Sequence, residues 1–300
     1  MNYFTKLALS ALSIAFALTS IASTAFAHEK PSLSFKTTKV TDTLYMLSGE
    51  GGFTGGNVAL SIGDDGVAMI DNGLSSVLEI LKAEIAETTD QEIDYMINTH
   101  VHGDHIGNNH AFGDDGALIV SHENLRDSLV KKDVKEGKKS KRTQLPILTF
   151  NDRMTIHING DAAKITHFEH AHTDGDAVIY FEKDNVLHTG DILFNGLFPF
   201  IDNINGGSLD GVIAALEGIA NMVNNEAKII PGHGPLASKV DVVKTFNMLK
   251  DARALVKAMV NDGESDKDIL AANPLAKYQA YNWDFISTEK MTQQVLDAVR

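Results

Sequence analysis

Short apolar runs alternate with amphipathic ones along most of the chain, and the spacing of the apolar residues separates the two kinds. Residues 43–47, 58–62 and 67–70 are β-rich and bounded by Gly- and Asp-rich turns, which predicts an antiparallel meander. In 75–88 the residues Val77, Ile80, Leu81 and Ile85 fall at helical spacing and predict a helix with one buried face. A strand is expected over 95–98. The second half repeats the pattern, with strands over 154–158, 163–168, 177–181 and 186–187, a helix over 209–223 and a short strand over 228–230. Two halves of strands followed by helices predict an α+β fold, an αββα sandwich of two mixed sheets flanked by helices. Beyond it, 240–260 reads as a long amphipathic helix. The tail to Arg300 reads as helical packing anchored by Trp283, a C-terminal helical extension over about 238–300.

The first 27 residues follow another logic. Lys6 is followed by the mostly apolar stretch 7–21 and then by Ala25-Phe26-Ala27, small residues at the two positions a signal peptidase reads. The apolar stretch is shorter than the ~20 residues a spanning helix needs. The expectation is cleavage between Ala27 and His28, release to the periplasm or medium, no membrane anchor afterwards, and one domain over 28–300.

Composition narrows the classes. The chain has 300 residues, 43% hydrophobic and 22% charged, enough apolar material for a large core. A formal charge of -14 argues against a nucleic-acid partner, because such surfaces are usually basic. The exception is 131–142, which holds Lys131, Lys132, Lys135, Lys138, Lys139, Lys141 and Arg142, read either as a solvated helix end or as a basic rim for anionic substrates. With no cysteine there is no disulfide, no thiolate metal ligand and no thiol nucleophile.

Chemistry concentrates where the predicted strands end. The run Thr99-His100-Val101-His102-Gly103-Asp104-His105 is followed by His172 in His-Thr-Asp-Gly-Asp, Asp191 in Thr-Gly-Asp and His233 in Pro-Gly-His-Gly-Pro. Imidazoles and carboxylates hold zinc without sulfur, three or four to an ion, so these seven groups suffice for two ions. His100 and His102 alternate and point the same way in an extended segment, so with His172 they can hold one ion and leave a coordination position open for water. Asp104 and His105 can turn toward a second ion with His233, and Asp191 can place one oxygen on each. His28, His110, His122, His157, His167, His170 and His188 are read as surface, packing or supporting residues.

The His-x-His-x-Asp-His run and the later His, Asp and His resemble the signature of the metallo-β-lactamase superfamily over about residues 43–235. The resemblance also matches Asp71, in Met-Ile-Asp-Asn-Gly, to that family's early structural aspartate. It implies a hydrolase with two zinc ions per chain that opens an activated or cyclic carbonyl compound by hydroxide formed from metal-bound water, with Asp104 orienting the nucleophile and a small molecule as partner. β-Lactams are candidate substrates. In the lactamases that place Cys on the second metal, that Cys stands where Asp191 stands, and a Lys that binds the substrate carboxylate follows three residues later. Here that position is Phe194, so Phe194→Lys is expected to improve turnover of carboxylated β-lactams. A bridging Asp instead resembles glyoxalase II and lactone hydrolases, so lactones and thioesters are the alternative substrates. The iron-dependent sulfur dioxygenases share the same signature and remain a rival, as does a metal-binding domain without turnover. The diiron branch, which replaces the second His of the signature by Glu, does not match His102.

Two loops are the candidates for substrate contact. Gly49 to Gly56 joins two early strands with glycines on both sides of Phe53, as a mobile flap or an ordinary turn. Phe194, Phe198 and Phe200 follow Asp191 and suggest an apolar substrate face, or core packing.

Overall fold

Strands covered on both faces need apolar residues at successive positions, and this chain shows it in 66–70. Val67 and Met69 join a cluster with Leu81, Ile85 and Phe112, whereas Ile70 joins a different one with Ala59, Ile97 and Ile179. The computed structural model describes Ser32–Arg300, so the expected cleavage point and His28 lie outside the described residues.

Seven strands form the first sheet in sequence order: β1 (Ser34–Lys39), β2 (Leu44–Glu50), β3 (Val58–Gly63), β4 (Gly66–Ile70), β5 (Tyr95–Ile97), β6 (Leu118–His122) and β7 (Leu148–Phe150). β1 to β4 are the antiparallel meander, and β4 to β7 run parallel. Parallel neighbours need crossovers, supplied here by α1 (Leu78–Thr88), by α2 (Gly103–Ile106) with α3 (Asn109–Asp114), and by α4 (Glu123–Lys135). The second sheet holds β8 (Arg153–Ile158), β9 (Asp161–His167), β10 (Ala177–Phe181), β11 (Val186–His188), β12 (Lys228–Ile230) and β13 (Ala237–Ser238) in the order β13-β12-β11-β10-β9-β8. Its one parallel pair, β11 with β12, is bridged by α5 (Leu209–Met222). The chain ends in α6 (Lys239–Asn261), α7 (Asp266–Ala272) and α8 (Thr288–Val299).

Three apolar clusters make four layers. One lies between the sheets and joins Leu44, Ile70 and Ile97 to Ile165, Ile179 and Ile230. A second packs α1 and α3 on the outer face of the first sheet. The third packs α5, α6 and α8 on the outer face of the second sheet. This is the expected αββα sandwich. Among the described residues no helix is long and apolar enough to cross a membrane.

The structure adds elements that apolar spacing did not signal. β1 has Phe35 as its only large apolar residue, and its place is fixed by pairing with β2 and by Glu84 of α1, which accepts hydrogen bonds from Thr37 N (3.0 Å) and Oγ1 (2.6 Å). The helix expected from Ser75 opens instead as a 3-10 turn over Ser75–Val77 before α1 begins. α6 starts at a capping box, with Ser238 and Asp241 each satisfying a backbone N–H. The basic stretch 131–142 is the end of α4 and the loop after it, and all seven basic side chains are exposed.

Candidate metal centre

Both sheets deliver residues to one edge of the sandwich. His100, His102, Asp104 and His105 follow β5, with the last two on the short helix α2. His172 sits between β9 and β10, Asp191 just after β11, and His233 just after β12. Their donor atoms fall into two groups that could each hold a metal ion, every atom within 4.8 Å of the others in its group. The first is His100, His102, His172 and Asp191, and the second is Asp104, His105 and His233.

Asp191 ties the groups together. Its Oδ2 lies 3.6 Å from His100 Nε2 and 3.5 Å from His172 Nε2, while its Oδ1 lies 3.1 Å from His105 Nε2 and 3.4 Å from His233 Nε2. The packing there admits only glycine at position 232, because a Cβ would run into Asp191 Oδ1. Gly56 is likewise pressed against the His105 ring, which a Cβ would strike. Glycines flanking the ligands therefore let backbone approach the donors closely.

Three of the five imidazoles are oriented by the nitrogen that faces away from the centre. His105 Nδ1 donates to Asp71 Oδ2 (2.7 Å), His172 Nδ1 donates to the Phe200 carbonyl (2.7 Å) and His102 Nε2 donates to Asp202 Oδ2 (2.8 Å). That leaves Nε2 of His105 and His172 and Nδ1 of His102 as the nitrogens turned inward, the arrangement seen around metal-binding imidazoles. Asp71 is fully buried at a φ of 59° and also accepts from Thr99 N (2.8 Å) and Oγ1 (2.7 Å), so one carboxylate fixes both His105 and the loop that carries His100.

The sequence reading missed Asp202. Besides His102, it accepts from the backbone N–H groups of Ile204 and Asn205 and from Asn205 Nδ2, and its own N–H donates to the His172 carbonyl (3.0 Å). Its only signal was Asp-Asn-Ile-Asn-Gly, which reads as an ordinary turn. A buried amide network also went unread: Asn98 and Asn109 exchange hydrogen bonds, Asn72 donates to Asn109, and Asn108 N donates to Asn72 Oδ1 (2.7 Å). It ties the start of α3 to the segments that carry Asp71 and His100.

The electrostatics match a cation site. Burial, with further help from the His105 charge, holds His100 well below the usual imidazole range, and burial brings His172 down to about 4, so both keep free lone pairs at neutral pH. Burial opposes charge on His105 and His233 too, but there the carboxylates outweigh it: Asp191, Asp104 and Asp71 raise His105 well above its ordinary value, and Asp191 and Asp104 raise His233 to about 9. Positive charge is drawn to this spot. His100 Nε2 and Asp191 Oδ1 are buried without any hydrogen-bond partner, a state that costs about 1–3 kcal/mol per neutral group and more for a charged one. A cation in the first group would satisfy His100 Nε2 and one in the second would satisfy Asp191 Oδ1, so the donor set fits metal.

The substrate-contact expectations divide. Phe53 is 54% exposed and stacks on His233, with ring centroids 5.7 Å apart. The loop it crowns is pinned along its second half, where Gly56 N donates to the Asp104 carbonyl (2.9 Å) and Asn57 N to the Gly232 carbonyl (2.7 Å), so only the tip Gly51–Phe53 stands free. Phe194 and Phe198 do not form a substrate face, which corrects that expectation: they are 1% and 0% exposed and belong to the interior. Phe194 is wedged between His233 (5.0 Å) and Trp283 (5.7 Å). The expected gain from Phe194→Lys falls with it. An ammonium there is buried without a counterion, so the variant is expected to lose about 3–5 kcal/mol, roughly 10 °C in melting temperature at ~2–4 °C per kcal/mol, with no improvement on carboxylated substrates. Differential scanning calorimetry decides it, and an unchanged Tm contradicts the burial argument. Phe200, half-buried, is the aromatic that reaches the ligands, 5.8 Å from His102.

The other described histidines belong to neither group. His188 is buried and bonded at both nitrogens, to Asn57 O and from Gly190 N, and His170 Nδ1 donates to the Gly206 carbonyl. His122 and His167 stack on each other at 3.8 Å.

Comparison with known proteins bears on the same residues. The sequence model of the metallo-β-lactamase superfamily matches residues 51–235, which contain all seven members of the two groups. The chain is 26% identical over 197 residues to the Beta-lactamase-like protein 2 homolog of Caenorhabditis elegans, covering 64% of this chain and 61% of that protein. It is 24% identical over 253 residues to Metallo-beta-lactamase type 2 of Elizabethkingia meningoseptica, covering 83% of this chain and 96% of that one. Among solved structures, the metallo-beta-lactamase from Pontibacter korlensis superposes with a TM-score of 0.61 at 19% identity, over 72% of this chain and 99% of that chain, a likeness of fold. Since the family match spans more than half of the sequence, the chain belongs to the metallo-β-lactamase superfamily of metallo-hydrolases.

Proposed function

We propose that the protein is an exported hydrolase that uses two zinc ions per chain to open an activated or cyclic carbonyl compound, with β-lactams among the candidates. The observation that carries this reading is Asp191, whose two oxygens address different histidine groups across a buried centre, Oδ2 at 3.5–3.6 Å on one side and Oδ1 at 3.1–3.4 Å on the other. Export rests on Lys6, the apolar stretch 7–21 and Ala25-Phe26-Ala27.

His100, His102 and His172 would hold one ion, Asp104, His105 and His233 the other, and Asp191 both. Bound there, zinc supplies Lewis acidity that polarises a carbonyl and brings the pKa of water down to about 7. The protein's own groups set the geometry of attack. The side chains of His102 and Asp104 are 20% and 19% exposed, while those of the other five members stay at 8% or below, so substrate enters on their side. Asp104 can accept a hydrogen bond from the attacking water and hold it toward the carbonyl carbon. Asp71 and Asp202 keep His105 and His102 from turning as charge develops. The residues lining the cleft beside His233 include no Lys, Arg or Tyr, so the reaction favours substrates whose leaving group does not depend on a protein acid.

A second reading, lactones or thioesters, is favoured by Phe194 at the position where a carboxylate-binding Lys stands in the lactamases with Cys on the second metal. Neutral substrates need no such anchor.

The reading is tested by chelation. Purified protein is expected to carry two zinc ions per chain by mass spectrometry, to lose hydrolysis at least 100-fold after chelation, and to regain it with zinc. A chromogenic β-lactam, a lactone and a thioester form the assay panel. Iron as the bound metal, with oxidation of a persulfide and no hydrolysis, would replace hydrolysis by sulfur oxidation.

A further inference from the structure

Beside the metal centre runs a cleft of about 330 Å³ lined by Phe53 of the β2–β3 loop, by Leu197, Pro235 and Trp283, and by the uncharged polar Ser48, Thr54 and Asn57, with His233 among them. Its lining contains no Lys, Arg, Asp or Glu. Trp283 comes from the segment between α7 and α8, beyond the residues 51–235 that the superfamily model matches. Its wall is fixed: Nε1–H donates to the Phe198 carbonyl (2.9 Å), the backbone N–H donates to Ile286 O (3.1 Å), and the ring packs 5.7 Å from Phe194 and 6.0 Å from His233. The nearby Lys290 does not serve the cleft, because its ammonium is held by the Phe285 carbonyl (2.8 Å) above that ring.

We propose that the cleft between Phe53 and Trp283 receives an uncharged, apolar arm of the substrate, an acyl chain or aryl group of several carbons, and that Trp283 sets this preference. The inference rests on the reading of the site as a carbonyl hydrolase and names the kind of substrate it takes. The chemistry follows from the lining. An aliphatic or aromatic arm exchanges water for Phe53, Leu197, Pro235 and the Trp283 ring, and each methylene that leaves water strengthens binding about fourfold at full burial. A carboxylate on the same arm loses its hydration and meets no cation in return. The exposed tip Gly51–Phe53 lies over the arm, and the fixed wall is Trp283.

Trp283 is the only tryptophan in the chain, so its fluorescence reports on this cleft directly. The zinc-loaded protein is titrated with hexanamide, a neutral amide too unreactive to be consumed, with acetamide, and with adipamate, which has the same chain length but ends in a carboxylate. A saturable shift of Trp283 emission is expected for hexanamide, with acetamide and adipamate at least tenfold weaker. Phe53→Ala, a change at an exposed tip that leaves the reporter in place, is expected to weaken hexanamide at least fivefold. In hydrolysis of lactones of increasing side-chain length, kcat/KM is expected to rise about two- to fourfold per methylene and to flatten in Trp283→Ala. Adipamate binding as tightly as hexanamide, no dependence on length, or an unchanged length profile in Trp283→Ala would each overturn the proposal. Failure of the hydrolase reading looks different: zinc-dependent turnover of the panel is then absent while the fluorescence titration still separates the three amides.

Discussion

For the two-ion centre proposed above, Asp191→Ala is expected to lower the metal content to about one ion per chain and to reduce kcat/KM on the order of 1,000-fold, equivalent to about 4 kcal/mol. The carboxylate is the single group shared by both halves of the centre, and its absence leaves three donors on each side. The halves are not affected equally. Oδ1 sits 3.1 and 3.4 Å from His105 and His233, whereas Oδ2 stands off at 3.5 and 3.6 Å from His172 and His100. The ion near His105 and His233 is therefore expected to be the one that leaves, while the three imidazoles of the other half retain theirs. Metal analysis after gel filtration, together with kinetics at saturating zinc, measures both quantities. Two ions still bound in the variant would mean that Asp191 does not bridge.

Asp71→Ala is expected to cost stability and metal affinity together. The carboxylate is fully buried and accepts from Thr99 N, Thr99 Oγ1 and His105 Nδ1, so truncation strands three buried donors. At about 1–3 kcal/mol for each stranded group, and with some relaxation, the loss is about 3–6 kcal/mol. That corresponds to roughly 10–15 °C in melting temperature. Freed from Asp71, the His105 ring is no longer held with Nε2 toward the centre, and zinc affinity is expected to fall about 10- to 100-fold. Asp71→Asn separates the causes. It tolerates the positive φ of 59° and keeps the shape, but it turns an amide N–H toward a donor, so it should retain part of the stability and little of the affinity. Thermal unfolding with and without zinc, and competition with a zinc chelator, give the two readouts. A Tm within 2–3 °C of the parent would show that Asp71 is not the acceptor these three donors depend on.

The members of the two groups were legible before any coordinates because metal ligation restricts residue type and local spacing together. His100 to His105 lie within one turn-and-helix segment, so their mutual reach follows from backbone geometry alone. His172, Asp191 and His233 stood out because each follows a strand-like run, and Asp191 and His233 border glycine. Asp202 had no such mark. Its role depends on where the chain after Phe200 passes His102, and nothing local encodes that. Phe194 shows the opposite failure: an aromatic three residues from Asp191 invited a role at the substrate, while its side chain fills the space between His233 and Trp283.

From the residues themselves came the strands and helices with the clearest apolar spacing, the layered class of the fold and the identity of the donor residues, because periodicity and side-chain chemistry act over a few neighbouring positions, whereas β1, β6, β7 and α2 to α4 were not read. Only the tertiary structure decided which imidazole nitrogens face inward, that Asp71 and Asp202 lock two of those rings, and that Trp283 from the C-terminal segment lines the cleft. These depend on two sheets packing face to face and on which side chains that packing buries, a property of distant segments meeting that no local run of sequence contains.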